Sequence, residues 1–262
     1  MEKLQRIYSD IKSVRIQGAT NIAKAAVKAY MLKPTIDNKR KLLSLRPTEP
    51  TLSNALNFIE RLGEKKVVSH FSESQERINS FVFKLIKNGM IVYTHCHSTN
   101  VGKALINAKK KGRRFEVYNT ETRPLLQGRT TAKELSKNGI RVTTFVDSAI
   151  LEAIKKSDLV LLGADAILKS GVINKIGSGT IAELAFDHKK PLYVVADSWK
   201  FSPKNVKIEE RDFHEVWKNA PKMIKIRNPA FEKVEGRYIK GIISELGILR
   251  FDSFIKKASD IL

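Results

Sequence analysis

The chain has 262 residues, 42% of them hydrophobic, a single cysteine and a formal net charge of +21. That length and apolar share suffice for one large domain or two modest ones with a real core, and one cysteine excludes an internal disulfide. No apolar run is long enough to span a bilayer and the charged start "MEKLQRIYSDIKSVRIQGA" lacks the apolar core of a secretory signal, so a cytoplasmic compartment and no membrane partner are expected.

From residue 1 to 88 apolar residues recur at helical spacing, in "LQRIYSDI", "NIAKAAVKAYML", "KRKLLSL", "LSNALNFIERL" and "INSFVFKLIKNG", with Pro34, Pro47 and Pro50 between runs. An all-helical first domain is expected there. From Gly89 to the end, over 89–262, the short runs "MIVYTH", "RFEVYNT", "RVTTFVD", "DLVLLGA" and "PLYVVAD" alternate with helix-compatible segments. This alternation reads as an α/β domain of right-handed βαβ units on a mostly parallel, Rossmann-like sheet. Basic residues are scattered through both parts, as in "KKKGRR", "DHKKP" and "KMIKIRN". Solvated faces with a general attraction for anions are therefore expected in preference to a dedicated nucleic-acid surface.

Ligands of open α/β sheets bind outside the carboxyl ends of the strands. Polar residues gather at those ends: His95 to Ser98, Thr120 to Arg123, Asp147, Gly163 to Asp165, and Asp197 followed by Lys200. The order His95-Cys96-His97 invites a metal. Alternating side chains along a strand would turn Cys96 away from its neighbours, however, and the remaining histidines, His70, His188 and His214, offer no Cys-rich set, so no metal is expected. Two readings of Cys96 stand: a small buried hydrophobe, or a thiolate favoured by the N-terminus of the helix that "STNVGKAL" begins. Asp165 is a turn-former or a functional carboxylate, and the amides of "GSGT" are candidates for holding an oxyanion beside Lys175. No Walker or dinucleotide spacing is present. Arg46, Arg123 and Lys200 are surface charges unless something beyond charge places them.

Taken together, "YTHCHS", "TETRPLLQGRTTAKEL", "LVLLGADAI", "VINKIGSGT", "DSWKFSP" and "YIKGIISELGIL" resemble one family. It joins the alpha, beta and delta regulatory subunits of translation initiation factor two-B with isomerases of methylthioribose-1-phosphate and ribose-1,5-bisphosphate. The resemblance runs from about Lys12 almost to the C-terminus, and "RPTEPTLSNAL" is similar to the archaeal ribose-1,5-bisphosphate isomerases. It implies the same two-part fold. It also implies a catalytic cysteine in Thr-His-Cys at Cys96 and a catalytic aspartate in Gly-Ala-Asp at Asp165. Substrate-binding positions carry over to Arg46, Ser98, Thr99, Asn100, Asn174, Lys175 and Lys200. The early phosphate segment carries over to Gln17, Gly18, Ala19 and Thr20; the isomerases have Arg-Gly-Ala there, and this chain has Gln17 in place of the arginine.

The activity so implied is aldose–ketose isomerisation of α-D-ribose 1,5-bisphosphate to D-ribulose 1,5-bisphosphate in nucleoside monophosphate degradation. It needs neither metal nor organic cofactor and is carried by a homo-oligomer, dimeric or hexameric. The other reading is a non-catalytic regulatory subunit that binds a nucleotide or sugar phosphate and contacts initiation-factor subunits. A methylthioribose-1-phosphate isomerase, needing one phosphate site, is a third.

Overall fold

The computed structural model describes residues 2–262 apart from 14, 17, 47, 48 and 209, so Gln17 lies outside the described residues. The chain opens with four helices, α1 (Glu2–Lys12), α2 (Ala19–Leu32), α3 (Ile36–Leu45) and α4 (Pro50–Leu85). Thr35 caps α3 by accepting from the Asn38 amide, and Pro50 starts α4 where its missing N–H costs nothing. The two apolar runs expected as separate helices form α4 together, joined across Gly63, whose φ of 74 bends the axis.

α4 serves two packing environments, which change over beyond the bend. Residues of α1 to α3 and of α4 as far as Phe71, among them Ile11, Ile22, Leu42 and Leu56, form one core that also receives Trp199. Ile78, Val82 and Ile86 pack instead with Val92, Leu105 and Leu161 of the sheet layer. Each such side chain removed from water stabilises the fold by about 1.5–3 kcal/mol.

Seven strands follow in the order β10-β9-β7-β4-β1-β2-β3. They are β1 (Ile91–Thr94), β2 (Glu116–Thr120), β3 (Arg141–Phe145), β4 (Leu159–Leu162), β7 (Leu192–Val195), β9 (Gly241–Ser244) and β10 (Gly247–Leu249). All neighbours are parallel except β9 and β10, which form a hairpin. Every residue of β4, β7 and β9 is buried, which is why those runs read as continuously apolar. Crossovers use α5 (Thr99–Lys110), α6 (Gln127–Lys137), α7 (Ile150–Lys156) and α8 (Ser178–Asp187), and α9 (Phe251–Ile261) closes the chain. A second, antiparallel sheet of β5 (Ala166–Leu168), β6 (Gly171–Lys175) and β8 (Phe231–Glu235) was not expected from the sequence.

Strand order positions the site. From β1 the chain builds outward through β2 to β3, then returns to β1's other side at β4 and builds the opposite way. The β1/β4 boundary is thus a topological switch point, where a crevice opens at the carboxyl ends of the strands. Among the described residues no helix is long and apolar enough to cross a membrane.

Candidate active site

A cavity of about 540 Å³ opens at this switch point. Cys96 reaches it from beyond β1 and Asp165 from beyond β4. Gly18, Ala19, Thr20, Arg46, Ser98, Thr99, Asn100, Asn174, Lys175 and Lys200 line the same cavity, so every described residue that the family resemblance marks as catalytic or substrate-binding comes together there. Arg123 does not; its exposed guanidinium donates to the Val216 carbonyl at 3.1 Å.

The close approach of the two loops depends on Gly163. A Cβ there would lie 2.6 Å from Ser98 Oγ, so only glycine lets the chain after β4 pass against the cap of α5. Ser98 itself accepts from the Val101 amide at 3.4 Å. Asn100 is tied to α4 by its side-chain amide, which donates to Gln75 Oε1 at 3.0 Å. The turn carrying Lys200 is held from the helical region: Asn54 Nδ2 donates to the Trp199 and Phe201 carbonyls at 2.8 and 3.0 Å, and His70 stacks on Trp199 with centroids 3.8 Å apart. Lys200 is buried and donates to the Ala164 carbonyl at 2.6 Å, which sets its ammonium next to Asp165.

β1 ends at Thr94 and Cys96 adopts a φ of 62, so the strand alternation expected to turn Cys96 away from His95 and His97 does not apply; all three line the cavity. His95 is buried between two partners. Its Nε2 lies 2.9 Å from the Ile176 carbonyl and so carries the proton, leaving Nδ1 to accept from Thr120 Oγ1 at 3.0 Å. Burial lowers its pKa, so the ring is a neutral tie between β1 and the loop after Lys175.

Electrostatics bear on both readings of Cys96. Burial pushes the Cys96 thiol up to about 12, with Asp165 and Asp147 adding to the rise, while a hydrogen bond from the His97 backbone and the Lys175 charge oppose it. Desolvation outweighs the helix-end effect anticipated from "STNVGKAL". Burial also raises the Asp165 pKa, against the charges of Lys200, Arg46 and Lys175. The Lys175 pKa is lowered, again mainly by burial. The cavity therefore favours a protonated carboxyl and a thiol that, once ionised, is a strong base.

The amides of "GSGT" do not serve an external anion as expected: Gly179 N–H donates to Glu232 Oε1 at 2.8 Å, so a carboxylate from β8 occupies that helix end. The N-terminus of α2 differs. Gly18 is its N-cap and supplies no side-chain hydrogen bond, and Gly18, Ala19 and Thr20 at this helix start line the cavity, where backbone amides favour an anion. Arg46 donates through one nitrogen to Glu49 at 3.0 Å, while its buried Nη1 has no hydrogen-bond partner among the described residues.

Sequence reasoning missed several wall residues. Arg211, held by Glu215 four residues on through contacts of 3.1 and 2.9 Å from Nε, lines the cavity beside Lys175. Gln127, at the start of α6, presents a buried Oε1 with no partner in the described structure. Only its place in "TRPLLQG" hinted at it. Phe231 and Leu125 add apolar wall.

The Initiation factor 2 subunit family matches residues 14–251. The chain belongs to that family. Among its relatives, the ribose 1,5-bisphosphate isomerase of Archaeoglobus fulgidus is 36% identical over 95% of this chain and 90% of that protein. The ribose 1,5-bisphosphate isomerase of Methanocaldococcus jannaschii is also 36% identical, over 95% of this chain and 92% of that one. Among solved structures, the translation initiation factor eIF-2B of Pyrococcus horikoshii superposes with a TM-score of 0.84 at 27% identity, covering 95% of this chain and 98% of that one.

Proposed function

We propose that this protein is an aldose–ketose isomerase that converts α-D-ribose 1,5-bisphosphate to D-ribulose 1,5-bisphosphate. The observation that carries the reading is the joint placement of Cys96 and Asp165 in one cation-lined cavity at the β1/β4 switch point. The two similar isomerases, each matched over nine-tenths of its length or more, support the same activity.

The chemistry requires a hydrogen to move from C2 to C1 while the ring opens. Asp165, kept protonated by burial, donates to the ring oxygen as the C1–O bond breaks, and the positive charge developing at C1 acidifies the C2 hydrogen. The Cys96 thiolate takes that proton and a C1=C2 double bond forms. The Cys96 thiol then returns its proton to C1 as the Asp165 carboxylate accepts the proton of the C2 hydroxyl, which becomes the ketone. Both groups end in their starting states. The high affinity of the buried sulfur for a proton makes the thiolate scarce but strongly basic. Lys175, Lys200 and Arg46 offset the charge of the phosphates, and the amides of Gly18 to Thr20 add donors at the start of α2. Ser98, Thr99 and Asn100 line the wall next to the thiol, and Asn174 continues it toward Lys175.

Homodimers that build to hexamers in the cytoplasm complete the proposal. Light scattering of the purified protein tests the assembly. Incubation with ribose 1,5-bisphosphate, following ribulose 1,5-bisphosphate, tests the activity. Tight binding of the sugar bisphosphate without turnover would instead establish the non-catalytic reading, for which the raised thiol pKa speaks.

A further inference from the structure

Cys96 and Thr122 are two of the non-glycine residues with left-handed backbone, each with a φ of 62. A β-branched threonine there is unfavourable by about 1–3 kcal/mol, and such conformations persist only where the surroundings hold them. The surroundings here form one chain of bonds. Asp147, following β3, clamps the loop after β2 with both carboxylate oxygens: Oδ1 accepts from the Thr122 amide at 2.9 Å and Oδ2 from the Arg123 amide at 2.7 Å. Thr122 Oγ1 in turn accepts from the Cys96 amide at 3.1 Å. On the other side Thr131 Oγ1 donates to the Cys96 carbonyl at 2.8 Å, which leaves it to accept from His97 Nδ1 at 3.0 Å. Cys96 is thus gripped at both its amide and its carbonyl.

We propose that Asp147, acting through Thr122, is a positioning residue that holds the Cys96 thiol in its reactive placement. The inference rests on the reading that Cys96 reacts, and it extends that reading to a carboxylate outside the cavity lining. Asp147 does two opposed things. It fixes the direction of the sulfur, and its charge, together with that of Asp165, holds the proton on the thiol, while Lys175 and the His97 backbone N–H act the other way. His97 stands 3.9 Å from Glu134, and Glu121, next to Thr122 in the chain, is paired with Arg129 at 2.6 Å. Removing the Asp147 charge should therefore create more thiolate and yet less catalysis; unfolding would also expose the thiol and lower its midpoint, so the comparison is made on variants whose circular dichroism and melting match a folded protein.

Because Cys96 is the only cysteine, alkylation by iodoacetamide reports on it alone. In Asp147→Asn the pH midpoint of alkylation should fall below that of the parent and below that of Thr122→Val, which keeps the carboxylate. In Thr122→Val kcat should drop about 10- to 100-fold with KM within about threefold, the signature of a misplaced reacting group, and Thr122→Ser, which keeps the acceptor oxygen, should restore it. An unshifted midpoint in folded Asp147→Asn, or Thr122→Val turning over as fast as Thr122→Ser, overturns the proposal. If Asp147→Asn fails to fold, the Thr122 pair decides. A parent without turnover refutes the isomerase reading alone, and the alkylation comparison still decides the role of Asp147.

Discussion

Asp165 and Cys96 both hold their protons more firmly than free side chains do, and mainly for the same reason, loss of water. In the proposed mechanism the active form needs Asp165 protonated and Cys96 ionised, the inverse of their order of ionisation. Its fraction rises with pH until Asp165 begins to lose its proton, stays level, and falls once the thiol titrates fully. The acid limb of kcat/KM should therefore report Asp165, at a pH above the ordinary carboxyl value of 3.8. Asp165→Asn should abolish the plateau, leaving residual activity that climbs with pH, and should make the thiol ionise more readily because one of the charges opposing thiolate is gone. A pH–rate profile of the parent and variant checks both. That Cys96 and Asp165 share one cavity was legible from Thr-His-Cys and Gly-Ala-Asp, but the raised thiol pKa was not: burial comes from residues that reach the cavity from other elements, and a strand end quoted alone cannot show it.

The elements that shape the site do so through close approaches. Gly163→Ala would force a methyl to 2.6 Å from Ser98 Oγ and 2.7 Å from Ser98 Cβ, so overpacking should cost about 1–3 kcal/mol and part the loops bearing Cys96 and Asp165. Thermal melts and kcat/KM of the variant should fall together. Five of the six parallel strands were readable, β4 and β7 most plainly because, buried throughout, they are unbroken apolar runs bounded by polar turns. The antiparallel sheet of β5, β6 and β8 escaped notice for a physical reason. Its β6 pairs with β8 more than fifty residues on, Lys175 opposite Phe231, and the polar ends of "GVINK" resemble a turn until that partner is known. The helix end at "GSGT" likewise looked open, since its occupant, Glu232, belongs to the same distant strand.

At the scale of the whole molecule, the helical region and the sheet meet around a buried acidic pair next to the turn of Lys200. Glu245 accepts from the Ser198 backbone and hydroxyl, and burial, then the charge of Asp197, push its pKa up to about 7 from 4.5. The folded state holds this proton more tightly than the unfolded chain. The stabilisation is therefore fully present below 4.5 and is lost as pH rises through about 7, a difference of about 3 kcal/mol. Glu245→Gln, with no proton to lose, should gain in Tm over the parent as the buffer moves from acidic to alkaline, and a constant difference across the series would disprove that assignment. The central claim is that the cavity performs proton transfer through Cys96. Its most direct test is kcat of Cys96→Ser on ribose 1,5-bisphosphate, measured alongside the Kd of the sugar bisphosphate. The account predicts a fall of about a hundredfold to ten-thousandfold in kcat with Kd within about threefold of the parent's, because a hydroxyl keeps the shape but not the basicity. A serine variant that turns over at the parent's rate would contradict it.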